Sequence, residues 1–408
     1  MYDVIVIGGG AAGMIAAGRA AERGKSVVLL EKSRQLGKKL LLTGNGRCNV
    51  TNIAGVDTLL THYSDSGVFL NNAFRVFYNQ ELIALLRTHG VRVKISDKGR
   101  VFPVSERAAD VVNAFQAYLR QGHVSIRVAS PVSDLLVSQG KVNGARAADG
   151  KEYLAPRVIV ATGGKSYPET GSSGDGFCWA EKAGHQIVPL RPGLVGLETQ
   201  EPWVQDLQGV SLPDAEITFK QGREKKRMRG EMIFTHFGVS GPLFLDASAA
   251  IIDALPLAGN ITIAVDMQPG ASVKELMQSL DEAGQKTPHR QGKNVMADFL
   301  PQKIGLVCLQ NAGIAAERKI RELNKREKSS LIDCIKALSL TIQRPRPFTE
   351  AMITQGGVAT REINPKTMES KIVSGLYFCG EVIDIAGLSG GFNLQAAFST
   401  GYVAGNAV

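Results

Sequence analysis

Two short apolar runs open the chain, 3–8 (DVIVIG) and 26–31 (SVVLLE), separated by the alanine-rich stretch AAGMIAAGRAAERG. Uninterrupted apolar runs of this length predict strands buried on both faces, as in a parallel sheet. The stretch between them predicts a helix that Gly24 ends near a C′ position. Residues 130–164 behave differently, because polar and apolar positions alternate and QGK, NG and DGK interrupt them. That alternation predicts a small antiparallel meander closing on the apolar strand RVIVATGG. Residues 170–185, TGSSGDGFCWAEKAGH, predict a glycine-rich turn that opens a helix, with Gly184 stopping it. The turn reads equally as a plain junction or as a ligand contact.

Between about 190 and 350 the texture changes. Residues 195–266 are strand-like, with AEITFKQGREKKRMRGEMIFTHF predicting a hairpin and NITIAVDM a further strand. From Ser272 the period becomes helical, and Ser272 to Glu275 has the form of a capping box. PQKIGLVCLQNAG, AAERKIRELN and KSSLIDCIKALSL predict short helices, and RPRPF at 344–348 breaks the run. The last stretch, GLYFCGEVIDIAGLSGGFNLQAAFSTGYVAGNAV, predicts a strand, then Gly390-Gly391, then a helix rich in alanine and glycine. The plan is a discontinuous domain built from both ends of the chain, with a nested insert that is part β and part helical.

Bulk composition narrows the class only a little. The chain has 408 residues, 44% of them hydrophobic and 21% charged, which is globular and long enough for two or three domains. A formal charge of +9 suits an anionic cofactor, nucleic acid or a membrane surface and selects none of them. The five cysteines form no CxxC pair and no metal-like Cys/His spacing, so no metal is expected and a reducing cytoplasm is. The apolar N-terminus lacks a basic leader and reads as a strand. No 18-residue apolar run follows, so no membrane span is expected.

Gly8, Gly10 and Gly13 form GxGxxG between the first strand and its helix. The first glycine permits the tight turn, the second lets backbone approach a pyrophosphate, and the third packs helix on strand. The helix start presents free N–H groups to phosphate. Glu31 ends the second strand, placed to accept from ribose hydroxyls, and would repel a 2′-phosphate. FAD or NAD is therefore expected, not NADP. GKKLLLTGNGRCNVTN follows at once where an NAD dehydrogenase would add βα units, which favours FAD. Lys32, Lys38, Thr43, Gly44, Asn45 and Arg47 would then face pyrophosphate or the flavin ring. Val132 at the head of the meander is expected to meet the adenine through backbone, and Thr162 returns the chain to the cofactor. Gly380, Asp384, Gly391 and the backbone of Asn393 and Leu394 complete the expected set, with Asp384 on the ribityl chain or phosphate. GGKS at 163–166 is no Walker A motif, since Ile159 stands where the glycine is required.

Three features of the chain keep alternatives open. His236, in GEMIFTHFGVSGP, is either structural or a proton donor if the insert folds over the flavin. Ser240 is expected to cap the helix opened by Pro242. Lys220, Arg223, Lys225, Lys226, Arg227 and Arg229 crowd one hairpin with only Glu224 opposing, and ERKIRELNKREK offers Glu317/Arg321 and Glu322/Arg326 at helical spacing. A solvated surface is the simpler reading of these bases. Nucleic acid is the weaker one, because no aromatic residues interleave for stacking. Cys48 reads as a small packed residue, with a redox thiol or a covalent flavin link as alternatives.

The blocks DVIVIGGGAAGMIAA, GKKLLLTGNGRCNVTN, GEMIFTHFGVSGP and GLYFCGEVIDIAGLSGGFNLQAAFSTG, with TQGGV and TMESK, span nearly the whole chain. Together they resemble the bacterial FAD-dependent oxidoreductase family that includes aminoacetone oxidase and the BaiN-type bile-acid reductases. The resemblance implies an α/β fold, a two-dinucleotide-binding-type (glutathione-reductase-like) FAD domain with an inserted β-barrel and helical subdomain. The expected boundaries are 1–190 and 350–408 for the FAD domain, 191–270 with return strands near 340–350 for the barrel, and 271–340 for the helical part. It implies FAD at Ala12, Glu31, Lys38, Val132, Asp384, Asn393 and Leu394. The expected activity is hydride transfer between flavin and a small organic substrate, as amine/ketone oxidation or enone-type reduction. His236 and Arg47 are the catalytic candidates. A reductase would need NADH or NADPH, and without a second GxGxxG either would bind transiently. A flavin-dependent RNA-modifying protein using the basic insert is the alternative.

Overall fold

The computed structural model describes the backbone of all 408 residues and the side chains of all but residues 64–65 and 256–258. The chain divides into two compact units, Met1–Gly193 with Phe348–Val408, and Leu194–Pro347.

The first unit is built on a five-stranded parallel sheet in the order Leu376–Phe378, Val158–Val160, Val4–Ile7, Val27–Leu30, Ser125–Arg127. The four strands other than Ser125–Arg127 are wholly buried, which is why their sequences are continuous apolar runs. Val4–Ile7 sits centrally, with a strand from later in the chain on one side and its sequence neighbour on the other. Such a switch point opens a crevice beyond the carboxyl ends of the strands. The helix Ala11–Glu22 ends as expected, with Gly24 left-handed at φ +79°. The meander is present as Val132–Ser138, Lys141–Ala147 and Glu152–Leu154.

The C-terminal helix Phe392–Ala407 lies against Ala11–Glu22 along a seam of small residues. A Cβ on Gly401 would fall 2.4 Å from the Ala12 carbonyl oxygen, and one on Gly405 2.3 Å from that of Ala16. Contacts that advance by four on both helices mean the two run parallel.

The second unit closes a six-stranded barrel from Leu197–Thr199, Gly238–Ser240, Glu224–Phe234, Ser211–Gln221, Ile261–Asp266 and Leu338–Pro345. The expected hairpin is its longest strand pair. The helices Val273–Lys286, Gly292–Met296, Gln302–Asn311 and Lys325–Lys336 follow, the first opened by the expected Ser272–Glu275 capping box. Two expectations fail here. Ser240 is the last residue of a barrel strand, and Gly241, left-handed at φ +90°, precedes the helix in its place. Residues 315–319 form no helix, because their backbone pairs with residues 290–293, through Gly292 N–H to Arg318 O (2.7 Å) and Lys293 N–H to Ala316 O (3.0 Å). Glu317 accordingly pairs with Lys293 (3.4 Å) and not Arg321, and the next helix starts at Lys325 behind an Asn324–Glu327 capping box.

Candidate functional site

The glycine loop after the central strand forms the floor of the crevice. Gly8 is left-handed (φ +106°), and a Cβ there would meet the Ala161 carbonyl oxygen at 2.4 Å. A Cβ on Gly13 would fall 1.9 Å from Gly8 O, whereas one on Gly10 would stand in open space. The tight positions are thus structural, and the open one leaves room for a ligand to approach backbone. Gly10 caps the helix without a side-chain hydrogen bond, and no acid lies in the first turn. No acid of its own first turn therefore offsets the positive end of this helix.

Glu31 is buried beside this loop and accepts the Gly9 N–H (2.7 Å) and the Ser33 N–H (2.6 Å). Residues 129–132 lie alongside, with Ser130 N–H to Glu31 O (2.9 Å), which brings the head of the Val132 strand to the same end of the sheet. Lys32 pairs with Asp175 (2.8 Å) and donates to Ser173, and Lys38 donates to Glu169 O (2.6 Å). The segment 169–175 therefore holds both candidate lysines, Lys38 through Glu169 and Lys32 through Ser173 and Asp175. The Thr162 hydroxyl is buried with no hydrogen-bond partner among the described residues, and Gly176 packs onto it closely enough that a Cβ would fall 2.2 Å away.

The loop TGNGRCN turns through four left-handed residues, Gly44, Asn45, Gly46 and Cys48. Thr43 donates to Leu40 O (2.7 Å), Arg47 lies over the Phe102 ring at 5.0 Å, and Cys48 points inward, fully buried. Burial pushes its thiol up to about 12, with Thr43 opposing, so it stays protonated and unreactive. That is the small packed residue expected. The loop runs on to Asn49 and Thr51, which crowd Gly391 at the head of the C-terminal helix, where a Cβ would fall 2.6 Å from Thr51 O. Tyr63 Oη also donates to Phe392 O (2.6 Å). The Asn393 side chain braces the loop before it, donating to Gly387 O and accepting from Gly387 N–H, both at 2.8 Å, which leaves its backbone and that of Leu394 as the groups available to a ligand.

Gly380 (φ +75°) lies against Ala12, and a Cβ there would come 2.8 Å from the Ala12 Cβ. Asp384 N–H donates to Val358 O (3.0 Å). Burial pushes the Asp384 carboxyl up, while Arg191 and the Gly356 N–H pull the other way. Because Gly401 contacts Ala12, the C-terminal helix extends about 12 Å farther toward its N-terminus than the glycine-loop helix does, at 1.5 Å per residue. That second helix start is also uncapped and free of acids. Two positive helix ends thus stand at two depths beyond the carboxyl ends of the strands.

Sequence reasoning missed a polar node that four distant segments build. Glu381 accepts from Lys39 Nζ (2.8 Å), Ser166 Oγ (3.1 Å) and Thr354 N–H (2.6 Å). It also missed His62, whose ring lies 4.2 Å from that of Phe392. No local spacing marks either. Asp175 stood in the quoted turn, where its ambiguity hid it.

His236 belongs to the barrel unit and is exposed there. It lines a cavity of about 300 Å³ with Glu198, Glu201, Phe237, Arg344 and Arg346. Glu198 bridges Arg344 and Arg346 at 2.7 Å each, and the Arg346 guanidinium covers the Phe237 ring at 4.7 Å. Burial pushes the Glu198 carboxyl up, but the two arginines hold it below the ordinary carboxylate range. The basic hairpin is less bare than its sequence suggests. Arg229 pairs with Asp214 (2.6 Å) and Arg227 reaches Glu216 (4.0 Å), both acids of the adjacent strand, while Lys226 reaches Glu224 (3.1 Å) on its own strand.

Comparison with known proteins matches residues 2–407 to the family described as HI0933-like protein Rossmann domain. The chain is 34% identical to the 3-dehydro-bile acid delta(4,6)-reductase of Clostridium scindens, over 100% of this chain and 99% of that one. It is 32% identical to the ribosomal RNA dihydrouridine synthase of Haemophilus influenzae, over 98% of this chain and 96% of that one. Among solved structures, 3-ketosteroid-delta4-(5alpha)-dehydrogenase from Rhodococcus jostii RHA1 has the same kind of fold, with a TM-score of 0.54 at 14% identity over 100% of this chain and 96% of that one.

Proposed function

Because the chain belongs to the HI0933-like Rossmann family, we propose that it is an FAD-dependent oxidoreductase that reduces a carbon–carbon double bond conjugated to a carbonyl group. The observation that carries the cofactor is the pair of uncapped helix starts at two depths beyond the carboxyl ends of the strands, with Gly8, Gly10 and Gly13 at the first and Glu31 beside it. Those residues fit a dinucleotide. The open Gly10 position admits pyrophosphate to backbone, and the orphaned Thr162 hydroxyl gains a partner from a polar ligand. Bound FAD supplies the hydride-transfer chemistry that side chains lack.

The chain's own residues then divide the work. Gly8, Gly10, Ala12 and Gly13 receive the pyrophosphate at the first helix start. Glu31 takes the ribose hydroxyls while keeping its two backbone bonds, and Val132 backbone meets the adenine. Lys32, Lys38, Thr43, Gly44, Thr162 and Gly380 line the path between. Asp384 holds the ribityl chain. Gly391, Asn393 and Leu394 present N–H groups to the flavin ring, where a helix N-terminus favours negative charge by about 0.3–2 kcal/mol. We assign the Arg47 guanidinium to polarising the substrate carbonyl and His236 to supplying the proton that reduction of the double bond requires.

The substrate class rests on the two relatives. One is named a reductase of a 3-dehydro bile acid and the other a synthase of dihydrouridine. Addition of hydrogen beside a carbonyl is the step we infer for both names. NADH or NADPH is the proposed electron donor, binding transiently. The test is anaerobic mixing of the flavin-loaded protein with each nicotinamide, followed by a steroid enone. Bleaching by one nicotinamide and reoxidation by the enone are expected. No bleaching, with rapid reoxidation in air after chemical reduction, would point to an oxidase instead.

A second reading takes RNA as the substrate. Lys220, Arg223 and Lys225 have no acid within 4.0 Å among the described residues, so the hairpin tip keeps a net positive charge. Ribosomal RNA binding that weakens steeply with salt, and is lost on neutralising these three, would favour this reading.

A further inference from the structure

The cavity of about 300 Å³ beside His236 is lined wholly by residues of the second unit, and two carboxyl groups stand on its wall. Both Glu198 oxygens are taken, one by Arg344 Nε and one by Arg346 Nη1, each at 2.7 Å. Glu201 differs. Its Oε1 accepts the Thr341 N–H (2.8 Å), which ties the carboxyl group to the strand Leu338–Pro345, while its Oε2 is buried with no hydrogen-bond partner among the described residues. The hydroxyl of Thr199, which also lines the cavity, is buried and lacks a partner in the same sense. These groups stand where the strands Leu197–Thr199 and Leu338–Pro345 lose register. Glu198 is opposite Arg344 and Thr199 opposite Ile342, so Gln343 is an extra residue. A bulge of that kind re-aims side chains and recurs beside functional sites. Buried polar atoms are nearly always paired, so two orphans on one cavity wall call for a ligand that pairs them.

We propose that Glu201 is a specificity-determining residue whose carboxylate accepts a hydrogen bond from a hydroxyl group of the substrate. The inference rests on the enone-reductase reading and names a part of the substrate that the double bond leaves open. A substrate that offers its double bond to His236 has other parts of its skeleton within reach of the cavity that His236 lines. Glu198 does not take this role, because the two arginines already hold both of its oxygens. An ionised Glu201 accepts and cannot donate, so a hydroxyl suits it, whereas a carbonyl would set lone pairs against lone pairs. The hydroxyl oxygen in turn accepts from Thr199, and both orphans are then paired. A site built to bond a substrate hydroxyl rejects the analogue without it, because its own buried group is left unpaired.

The test uses the flavin-loaded full chain and two steroid enones that differ only on the five-membered ring, which carries a hydroxyl in one and a carbonyl in the other. Equilibrium dialysis against the oxidised protein, with no electron donor, reads binding alone. Wild type is expected to bind the hydroxysteroid about 10- to 100-fold more tightly, the strength of a hydrogen bond to a charged group. Glu201→Gln keeps an oxygen for the Thr341 N–H but puts an amide N–H₂ in place of Oε2, so the preference should reverse toward the carbonyl compound. The wild-type ratio tests the proposal even if that variant fails to fold. Equal affinity of wild type for the two steroids, or a hydroxyl preference that Glu201→Gln leaves unchanged, would overturn the proposal. The expected preference without reduction of either steroid on adding a nicotinamide would support the role of Glu201 and overturn the enone-reductase reading instead. Binding of neither steroid would overturn both.

Discussion

Single residues separate holding the cofactor from doing chemistry. Asp384→Ala is expected to lower flavin absorbance per mole of purified protein, whereas His236→Ala should keep the flavin and slow turnover by about 100-fold, as for loss of a proton donor. Full flavin content in the first variant would remove Asp384 from the cofactor, and wild-type turnover in the second would leave His236 structural. Both candidates come from short motifs with unusual chemistry. The Glu381 node was not legible, since Lys39, Ser166 and Thr354 come from segments whose spacing says nothing about meeting. His185 shows how geometry can mislead. Its Nε2 bonds Ser370 Oγ (2.8 Å) and its Nδ1 bonds Glu362 (3.2 Å), the arrangement of a nucleophilic triad. But Ser370 is buried and its oxygen accepts from Ile372 N–H (3.0 Å) and Val373 N–H (2.8 Å), so it closes a turn and attacks nothing. Burial pushes the His185 imidazole below its ordinary value, with Glu362 opposing. The unfolded chain then takes the proton first as pH falls through about 6.5, so this stability is full above that point and lost below it, by up to about 1.4 kcal/mol per pH unit. Urea midpoints of wild type and His185→Gln should converge on acidification. A gap that is constant with pH would contradict the assignment.

At the scale of elements, the sequence was most readable where a strand is buried on both faces. Val4–Ile7 and Val27–Leu30 are continuous apolar runs for that reason. The edge strand Ser125–Arg127 is short and half exposed, so it carried no such signature. The missing helix at 315–319 had helical spacing and charge pairs, and tertiary backbone pairing with 290–293 overrode them. The seam between Ala11–Glu22 and Phe392–Ala407 lay between the two cases. Its glycines were visible as composition, but which backbone they admit was not. That seam sets the offset between the two helix starts, so it should be intolerant of bulk. Gly401→Val would push a methyl into the Ala12 carbonyl and is expected to cost about 1–3 kcal/mol and to weaken flavin retention together with stability. An exposed control such as Gly140→Ala, where a Cβ meets nothing within 4 Å, should retain its flavin and cost only its left-handed strain at φ +70°. Equal flavin loss in the two variants would show that the seam has no special role.

The whole molecule poses a question about the insert that the strand register makes answerable. The chain leaves the first unit after Gly193 and re-enters it at Phe348. Strands Ile187–Gly193 and Ile353–Val358 pair antiparallel, with Gly193 opposite Ile353. The two ends of the first unit are therefore neighbours, and residues 348–352 can close them as a hairpin loop of ordinary length. Phe348 is already fixed there, its carbonyl accepting the Tyr167 N–H at 3.1 Å. Every candidate cofactor residue from Gly8 to Leu394 falls within this unit, and His236 is the one candidate in the other. Joining Gly193 directly to Phe348 should thus leave a protein that folds and takes up FAD but no longer turns over substrate. Circular dichroism and visible absorbance on the purified protein test the first two outcomes, and the nicotinamide and enone assay tests the third. A folded, colourless product that reconstitution with FAD cannot restore would transfer part of the cofactor's hold to the barrel unit. Retained turnover would place all the chemistry in the first unit and remove His236 from it.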